Sequence, residues 1–239
     1  MKKKVILTDD YLQTFKNFGA VYESPIDNDG NYQGPLVAYA GRGEDGKSKV
    51  GYLYYNMSKI ENNSRSLNFF AGILSKKIKE AEDQPDVVLG APMGGIALAT
   101  ALSLRLGCDF AFAEKKIIEL ADKENNIREK SELILKRHEI EPGQKVLIIE
   151  DLCNNFSTTK EMVKLIITAG GEFIGIASLL NRSWPFQDEF YDTPVISVVD
   201  LPTDQFEQTS EEVKEHLSRN HIVLKPKDEW EKLEKAMEK

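Results

Sequence analysis

The chain has 239 residues, of which 41% are hydrophobic, and a formal net charge of −8 at pH 7. This composition suits a folded core, and the acidic balance disfavours a general nucleic-acid binder, which would carry basic patches. No stretch approaches the roughly 20 apolar residues of a membrane span, and the basic start lacks the apolar segment of a signal peptide. From the acidic balance and the lack of an apolar span we expect no nucleic-acid partner and no membrane partner. Two distant cysteines without a CxxC motif, Cys108 and Cys153, predict a reduced cytoplasmic protein, and the three histidines lack the spacing of a zinc site.

The N-terminal part is predicted to begin with a helix and to continue as β structure. Two apolar runs, Leu36–Ala40 and Val50–Tyr55, are separated by the turn-forming stretch Gly41–Gly46. Helical spacing of apolar residues follows over Leu67–Ala81. We expect residues 1–65 to form a β-containing hood.

Residues 66–200 are predicted to form an α/β core. Five short apolar segments have the composition of strands: Asp86–Gly90, Phe110–Ala113, Lys145–Glu150, Glu172–Leu180 and Val195–Val199. Helical patterns lie between them over Ile96–Leu106 and Thr159–Ala169. Strands that are apolar on both faces and alternate with helices indicate a mainly parallel five-stranded sheet flanked by helices.

Two further segments are rich in charge. The stretch from Glu114 to Glu141 fits equally a mobile loop ending in a short strand near Leu133–Leu135 or a solvent-exposed helix. The tail, residues 201–239, is predicted to be a helical extension with two polar helices, Glu211–Arg219 and Asp228–Met237. We expect the hood, the core and the extension to form one compact domain.

The first candidate site is the loop after the strand at Asp86–Gly90. Its sequence, Ala91-Pro92-Met93-Gly94-Gly95, contains glycines that let a ligand approach the backbone closely. The N-terminus of the helix that follows favours anions. Because proline and glycine are common in any strand-to-helix turn, this motif alone is weak evidence of a binding site.

The second candidate site is the pair Glu150-Asp151, at the end of a predicted buried strand. Two adjacent carboxylates at such a position are costly unless something binds them. The hydroxyl groups of a sugar, or a metal ion bridging to one, are suitable partners.

A polar loop follows these carboxylates at the start of a predicted helix. Its short side chains can donate hydrogen bonds to a phosphate: Asn154, Asn155, Ser157, Thr158 and Thr159. Thr158 and Glu161 also fit a helix capping box, and a cap can coexist with an anion site. Carboxylates followed closely by a phosphate-binding loop indicate a phosphorylated sugar as the ligand.

This order of parts resembles the type I phosphoribosyltransferases, and among them the orotate phosphoribosyltransferases. The motif that carries the resemblance is Val146-Leu147-Ile148-Ile149-Glu150-Asp151-Leu152-Cys153, with four hydrophobic residues, two acids and two hydrophobic residues. The likeness covers about residues 34–182. It implies transfer of the 5-phosphoribosyl group from phosphoribosyl pyrophosphate (PRPP) to orotate, which gives orotidine monophosphate and pyrophosphate in pyrimidine nucleotide synthesis.

The resemblance also implies roles for individual residues. Glu150 and Asp151 would bind the ribose hydroxyl groups, and Lys115 would act beside them in catalysis. PRPP would be held by two sets, Met93, Gly94 and Gly95 at the pyrophosphate and Asn154, Asn155, Phe156, Ser157 and Thr158 at the 5-phosphate. Mg²⁺ would bridge pyrophosphate and ribose oxygens, either without a direct protein ligand or through Asp151. A homodimer is implied as well.

Three residues resemble the family's orotate-binding positions. Tyr54 and Tyr55 stand before Asn56 where the family has an aromatic pair, and Arg182 matches an arginine that pairs with the carboxylate of the pyrimidine. A planar guanidinium is well suited to bind a carboxylate. The alternatives are that the tyrosines only pack on the sheet and that Arg182 pairs with an acid such as Asp188.

The chain also departs from the family pattern. Phe156 stands in place of a glycine of the phosphate loop, and Ile117–Leu120 does not supply the expected cationic group. Lys123, Arg128 or Lys130 would have to substitute for that group. Two alternatives therefore stay open: a non-catalytic regulator of the same fold that binds PRPP or a nucleotide, and a phosphoribosyltransferase for another base.

Overall fold

The computed structural model describes residues 10–119, 130–183, 185–219 and 221–238. Its helices, in chain order, are α1 (Tyr11–Asn17), α2 (Ser58–Glu61), α3 (Ser64–Lys79), α4 (Gly95–Leu106), α5 (Ser157–Thr168), α6 (Glu211–Ser218) and α7 (Trp230–Met237). Its strands are β1 (Val21–Glu23), β2 (Leu36–Arg42), β3 (Ser48–Gly51), β4 (Leu53–Tyr55), β5 (Val87–Gly90), β6 (Asp109–Phe112), β7 (Glu114–Glu119), β8 (Lys130–Ile134), β9 (Lys145–Cys153), β10 (Glu172–Asn181), β11 (Glu189–Phe190), β12 (Thr193–Asp200) and β13 (Ile222–Val223).

The chain divides into two units. One consists of Met1–Ile60 together with Pro202–Lys239, and the other is Glu61–Leu201. The N-terminal hood segment and the C-terminal extension, which are far apart in sequence, thus belong to the same unit.

The first unit contains two small sheets. β1 and β4 pair antiparallel, and a three-stranded sheet has the order β13-β2-β3. The two tail helices predicted from sequence are present as α6 and α7. The tail also supplies β13, which was not predicted and which pairs in parallel with Leu36 and Val37 of β2. Gly41 and Arg42 extend β2, so the predicted turn begins two residues later.

The second unit is built on a six-stranded sheet with the order β11-β12-β10-β9-β5-β6. Strands β12, β10, β9, β5 and β6 are parallel, which confirms the prediction of a mainly parallel five-stranded sheet. The sixth strand, β11, is only two residues long and pairs antiparallel with β12 at the edge.

Helices cover this sheet because its strands are apolar on both faces. Val146 and Ile148 of β9 pack in the same hydrophobic cluster as Met162 and Ile166 of α5. Alternate residues of β9 point to opposite faces. Helices α3 and α4 contact each other and, respectively, β12 and β5. Among the described residues, no helix is long and apolar enough to span a membrane.

The described parts of the charged stretch, residues 114–119 and 130–141, contain two paired strands in the second unit, named here the β7–β8 hairpin. β7 pairs antiparallel with β8, with Lys115 opposite Leu133. The alternative of a solvent-exposed helix is therefore wrong for the described parts of this stretch, and the short strand expected near Leu133–Leu135 ends at Ile134. Two of the cations considered as substitutes, Lys123 and Arg128, lie outside the described residues.

Candidate functional site

Three loops of the second unit meet at one edge of the parallel sheet. The end of β5 pairs with β9 at Gly90 and Ile149, and the end of β9 pairs with β10 at Cys153 and Asn181. Ligands bind at the carboxyl ends of parallel strands in open α/β sheets. This pairing brings both candidate loops and Arg182, the residue after β10, to the same edge.

The loop after β5 runs directly over the end of β9. A Cβ atom added to Gly94 would lie 2.4 Å from the carboxylate carbon of Asp151, and one added to Gly95 would lie 2.0 Å from the carbonyl oxygen of Ile149. Gly95 therefore requires glycine because a larger residue would collide with the backbone of β9, whereas a Cβ atom at Gly94 would displace the Asp151 side chain. The Gly95 N–H donates to the Ala91 carbonyl (2.9 Å), which closes the loop as a turn.

Met93 lies on the outside of this loop. Its side chain is 80% exposed, and the Pro92–Met93 peptide bond is cis. Because the Met93 side chain points to solvent, Gly94 is the residue of this loop that lies against the carboxylate of Asp151.

β9 continues to Cys153, three residues beyond the predicted end at Glu150, so the paired carboxylates lie inside the strand near its carboxyl end, where both are half-buried. Burial raises the pKa of Glu150 well above its usual range, and the charge of Asp151 raises it further, whereas the ammonium group of Lys115 acts in the opposite direction. The three residues predicted to be catalytic are thus close enough to influence one another. Lys115 reaches this position from the exposed start of β7.

The carboxylates of Glu150 and Asp151 could hold Mg²⁺ only if a substrate supplied further oxygen ligands. Among the described residues, no cluster of three or more His, Cys, Asp or Glu side chains is arranged to hold a metal ion. Mg²⁺ binds commonly through one or two carboxylates and completes its shell with phosphate oxygens and water. Asp151, with Glu150 beside it, supplies such a partial set.

Phe156 adopts a left-handed backbone conformation, with φ of 56°, directly before α5. A glycine would reach this conformation without strain. The Phe156 side chain is 5% exposed, belongs to the core of the second unit, and stacks on Phe190 with ring centroids 5.0 Å apart. The ring is therefore a core residue, and the loop keeps a backbone shape that is typical of glycine.

Helix α5 begins earlier than its sequence predicts. It starts at Ser157, so Thr158 lies within the first turn and the predicted Thr158–Glu161 capping box is wrong. The carboxamide oxygen of Asn155 instead accepts hydrogen bonds from the backbone N–H (3.2 Å) and hydroxyl (3.0 Å) of Ser157. The left-handed turn at Phe156 sets the start of the helix, because helical geometry begins only after it.

A cavity of about 390 Å³ opens beside this loop. Its walls include Asn154, Asn155, Lys160 and Gln187. Sequence reasoning did not single out Lys160, whose N–H donates to the Phe156 carbonyl (2.9 Å) in the first turn of α5. The spacing could have revealed Lys160, since it lies four residues after Phe156 and therefore on the same face of the first helical turn.

The predicted base-binding residues fall in different units. Tyr54 and Tyr55 belong to β4 of the first unit, where Tyr55 is buried and the Tyr54 ring lies 6.3 Å from that of Trp230. Tyr54 packs against a hydrophobic cluster of aromatic and aliphatic side chains, which favours the packing alternative for this side chain. Arg182 belongs to the second unit, where it is buried and donates its backbone N–H to the Cys153 carbonyl (3.0 Å).

Known proteins resemble the chain in both sequence and fold. The orotate phosphoribosyltransferase of Caldanaerobacter subterraneus subsp. tengcongensis is 29% identical over 155 residues, which cover 65% of this chain and 73% of that protein. The adenine phosphoribosyltransferase of Gluconobacter oxydans is 30% identical over 139 residues, which cover 56% and 75%. The crystal structure of orotate phosphoribosyltransferase from Aeropyrum pernix shares the fold, with a TM-score of 0.51, 14% identity and coverage of 87% of this chain and 96% of that one.

A family model of the phosphoribosyl transferase domain matches residues 56–215. The matched segment is more than half of the chain and contains the paired carboxylates and both loops at the edge of the sheet. The chain therefore belongs to the phosphoribosyltransferase family of glycosyl-transferring enzymes.

Proposed function

We propose that this protein transfers the 5-phosphoribosyl group from PRPP to orotate in the presence of Mg²⁺. The observation that carries the proposal is the close approach of the Asp151 carboxylate to Gly94, where it fills the space of a Cβ atom. The loop that leads into α5 lies at the same edge of the sheet. Such an arrangement offers adjacent places for a ribose, a pyrophosphate and a 5-phosphate. The place of Arg182 directly after β10, at the same edge of the sheet as both loops, supports orotate as the base, because a guanidinium pairs well with a carboxylate.

The proposed reaction passes through a transition state with positive charge on the anomeric carbon and negative charge on the departing pyrophosphate. Glu150 and Asp151 hold the ribose hydroxyl groups and stabilise the positive charge. Lys115 stabilises the pyrophosphate, and bound Mg²⁺ would neutralise charge on the phosphate and ribose oxygens. Orotate attacks as an anion, so the base needs little acid–base assistance.

The loop of Asn154–Thr158 binds the 5-phosphate in this proposal. The first N–H groups of α5 have no carbonyl partner within the helix, and the N-terminal end of a helix favours an anion. Lys160 adds a positive charge on the wall of the adjoining cavity. The hairpin of β7 and β8 limits the access of water to PRPP. The homodimer and the cytoplasmic location stay predictions.

A purine base is the second candidate, since the adenine phosphoribosyltransferase relative is 30% identical to the chain. Turnover of orotate and of adenine, measured with Mg²⁺ and PRPP by base absorbance and pyrophosphate release, tests both. We expect orotate to react. Reaction of adenine alone would contradict the proposed base, and PRPP binding without any turnover would indicate a regulator.

Variants test the assigned residues in the same assay. Asp151→Asn should lower kcat/KM at least about 100-fold, as removal of a group that stabilises the transition state does. Asp228→Asn makes the same charge change on an exposed residue and is the control.

Arg182→Ala should raise the KM for orotate far more than the KM for PRPP. Equal changes in the two KM values would remove Arg182 from the base site.

A further inference from the structure

Phe156 is the most unusual residue of the phosphate loop. A bulky residue with positive φ is an outlier that persists only when its surroundings hold it in place. Phe156 has a φ of 56° at the position where the loop passes into α5. The question is therefore which contacts keep the loop in this conformation.

The ring of Phe190 provides the principal ring contact in the described structure. The two rings stack with centroids 5.0 Å apart and an interplanar angle of 24°. Phe190 is itself buried and contacts the edge of Phe173 at 6.3 Å. An offset stacked pair of buried aromatic rings is favourable beyond the area that it buries.

The hairpin of β11 and β12 fixes the position of Phe190. Phe190 pairs with Thr193, whose hydroxyl donates to the Phe190 carbonyl. The two connecting residues, Tyr191 and Asp192, have φ of 53° and 57°, as in the tight two-residue turns that suit the twist of hairpins. A short, hydrogen-bonded hairpin thus presents one ring to the phosphate loop.

The same hairpin forms a wall of the cavity beside that loop. Phe190 and Tyr191 line it together with Asn155 and Lys160. The stack of Phe156 on Phe190 therefore connects the phosphate loop to the hairpin across one wall of this cavity.

We propose that Phe190 is a positioning residue, which holds the 154–158 loop in its phosphate-binding conformation by stacking on Phe156. The stack stabilises the left-handed backbone conformation of Phe156, which a glycine would adopt without strain. This inference rests on the proposed function, in which the loop binds the 5-phosphate of PRPP.

Four variants separate positioning from simple packing. Phe190→Leu keeps an apolar side chain and removes the stacked ring, whereas Phe190→Tyr keeps the ring. Phe173→Leu is the matched control, because Phe173 packs in the same cluster and contacts the edge of Phe190. Phe190→Met provides a second ring-free variant if the leucine variant does not fold, as judged by circular dichroism.

The first measurement is amide hydrogen exchange of the peptide that contains residues 150–160, in the full chain without ligand. Phe190→Leu should exchange faster there, and Phe190→Tyr and Phe173→Leu should behave like the unmodified protein. Exchange that is unchanged in the ring-free variants, or equally faster in the Phe173 control, overturns the positioning role.

The second measurement is the affinity for PRPP with Mg²⁺, determined by calorimetry. Phe190→Leu should weaken binding roughly 3- to 10-fold, the scale of one aromatic pair. In a Phe156→Gly background, Phe190→Leu should have no further effect on affinity, because glycine holds the left-handed turn without the stack. Additive effects would contradict the inference. Failure of the unmodified protein to bind PRPP would instead refute the proposed function, and the exchange experiment would still decide the role of Phe190.

Discussion

The two strand-to-helix loops at the edge of the sheet obtain their shapes in opposite ways. The loop after β5 depends on the absence of side chains, because a Cβ atom at Gly94 or Gly95 would collide with β9. The loop after β9 depends on a large side chain, since Phe156 is held in a left-handed conformation while its ring packs in the core. The first shape is encoded locally by two glycines. The second requires a partner, Phe190, that comes much later in the sequence.

This difference predicts how each loop responds to mutation. In the loop after β5, an atom added against the backbone of β9 causes steric strain, and one added against the Asp151 side chain displaces that side chain. A loop held by a buried ring loses stability when the ring is removed, and it regains part of that loss when glycine restores backbone freedom. Four experiments test the comparison.

The largest expected effect is on the Phe156 loop. Phe156→Ala should lower the free energy of unfolding by about 3–5 kcal/mol, as the loss of a buried phenylalanine does. Phe156→Gly should be more stable than Phe156→Ala by about 1 kcal/mol, because alanine keeps the cost of the left-handed conformation. Urea denaturation of both variants measures the two differences. A glycine variant less stable than the alanine variant would show that the left-handed turn carries no strain.

The next largest effect is on the glycine loop. Gly95→Ala should lower the free energy of unfolding by about 2–3 kcal/mol, because the new Cβ would meet the Ile149 carbonyl oxygen of a buried strand. Gly107→Ala is the matched control: its φ is +73° and no neighbour lies within 4 Å of the added Cβ. That control should lose only about 1 kcal/mol. Equal losses in urea denaturation would argue against a steric requirement at Gly95.

Gly94 should affect ligand binding more than stability. A Cβ atom there meets the far end of the Asp151 side chain, which can rotate away. Gly94→Ala should therefore change the unfolding free energy by under about 1 kcal/mol. Displacement of the carboxylate should weaken PRPP binding about 10-fold, or about 1.4 kcal/mol, in calorimetry with Mg²⁺. Unaltered affinity would mean that PRPP binding does not depend on the observed position of the Asp151 carboxylate.

The smallest expected effect concerns the pH dependence of stability. Burial and the adjacent Asp151 raise the pKa of Glu150, so the folded protein holds this proton to a higher pH than the unfolded chain does. The stability contributed by the protonated carboxyl is complete below the unfolded pKa and is lost as pH rises through the folded value. Relative to the unmodified protein, Glu150→Gln should therefore gain stability as pH increases.

Urea denaturation between pH 4 and pH 8 measures this trend. Glu161→Gln, on an exposed face of α5, makes the same chemical change and is the control. A difference between Glu150→Gln and the unmodified protein that stays constant with pH would show that Glu150 is ionised as readily in the folded chain as in the unfolded one.

Local sequence determined most of the second unit. The five parallel strands and the helices between them are visible as apolar runs and helical spacing, because burial on both faces requires continuous apolar segments. The position of Glu150 and Asp151 near the carboxyl end of a buried strand is equally local, although β9 continues to Cys153 where the sequence predicted its end at Glu150. For the same reason, the need for glycine in the loop after β5 could be suspected from Gly94-Gly95 alone.

Tertiary structure decided the rest, where distant residues meet. The short strand β13 exists because β2 offers an edge to pair with, and the hairpin of β7 and β8 is stabilised by pairing that weak periodicity did not reveal. Helix α5 begins at Ser157 rather than at the predicted Thr159, because Phe156 has a left-handed conformation immediately before it. Sequence alone identified Phe156 as the residue that departs from the glycine of the family's loop. Only the tertiary structure showed that its ring is accommodated by packing on Phe190. Contacts between residues that are distant in sequence leave no local pattern.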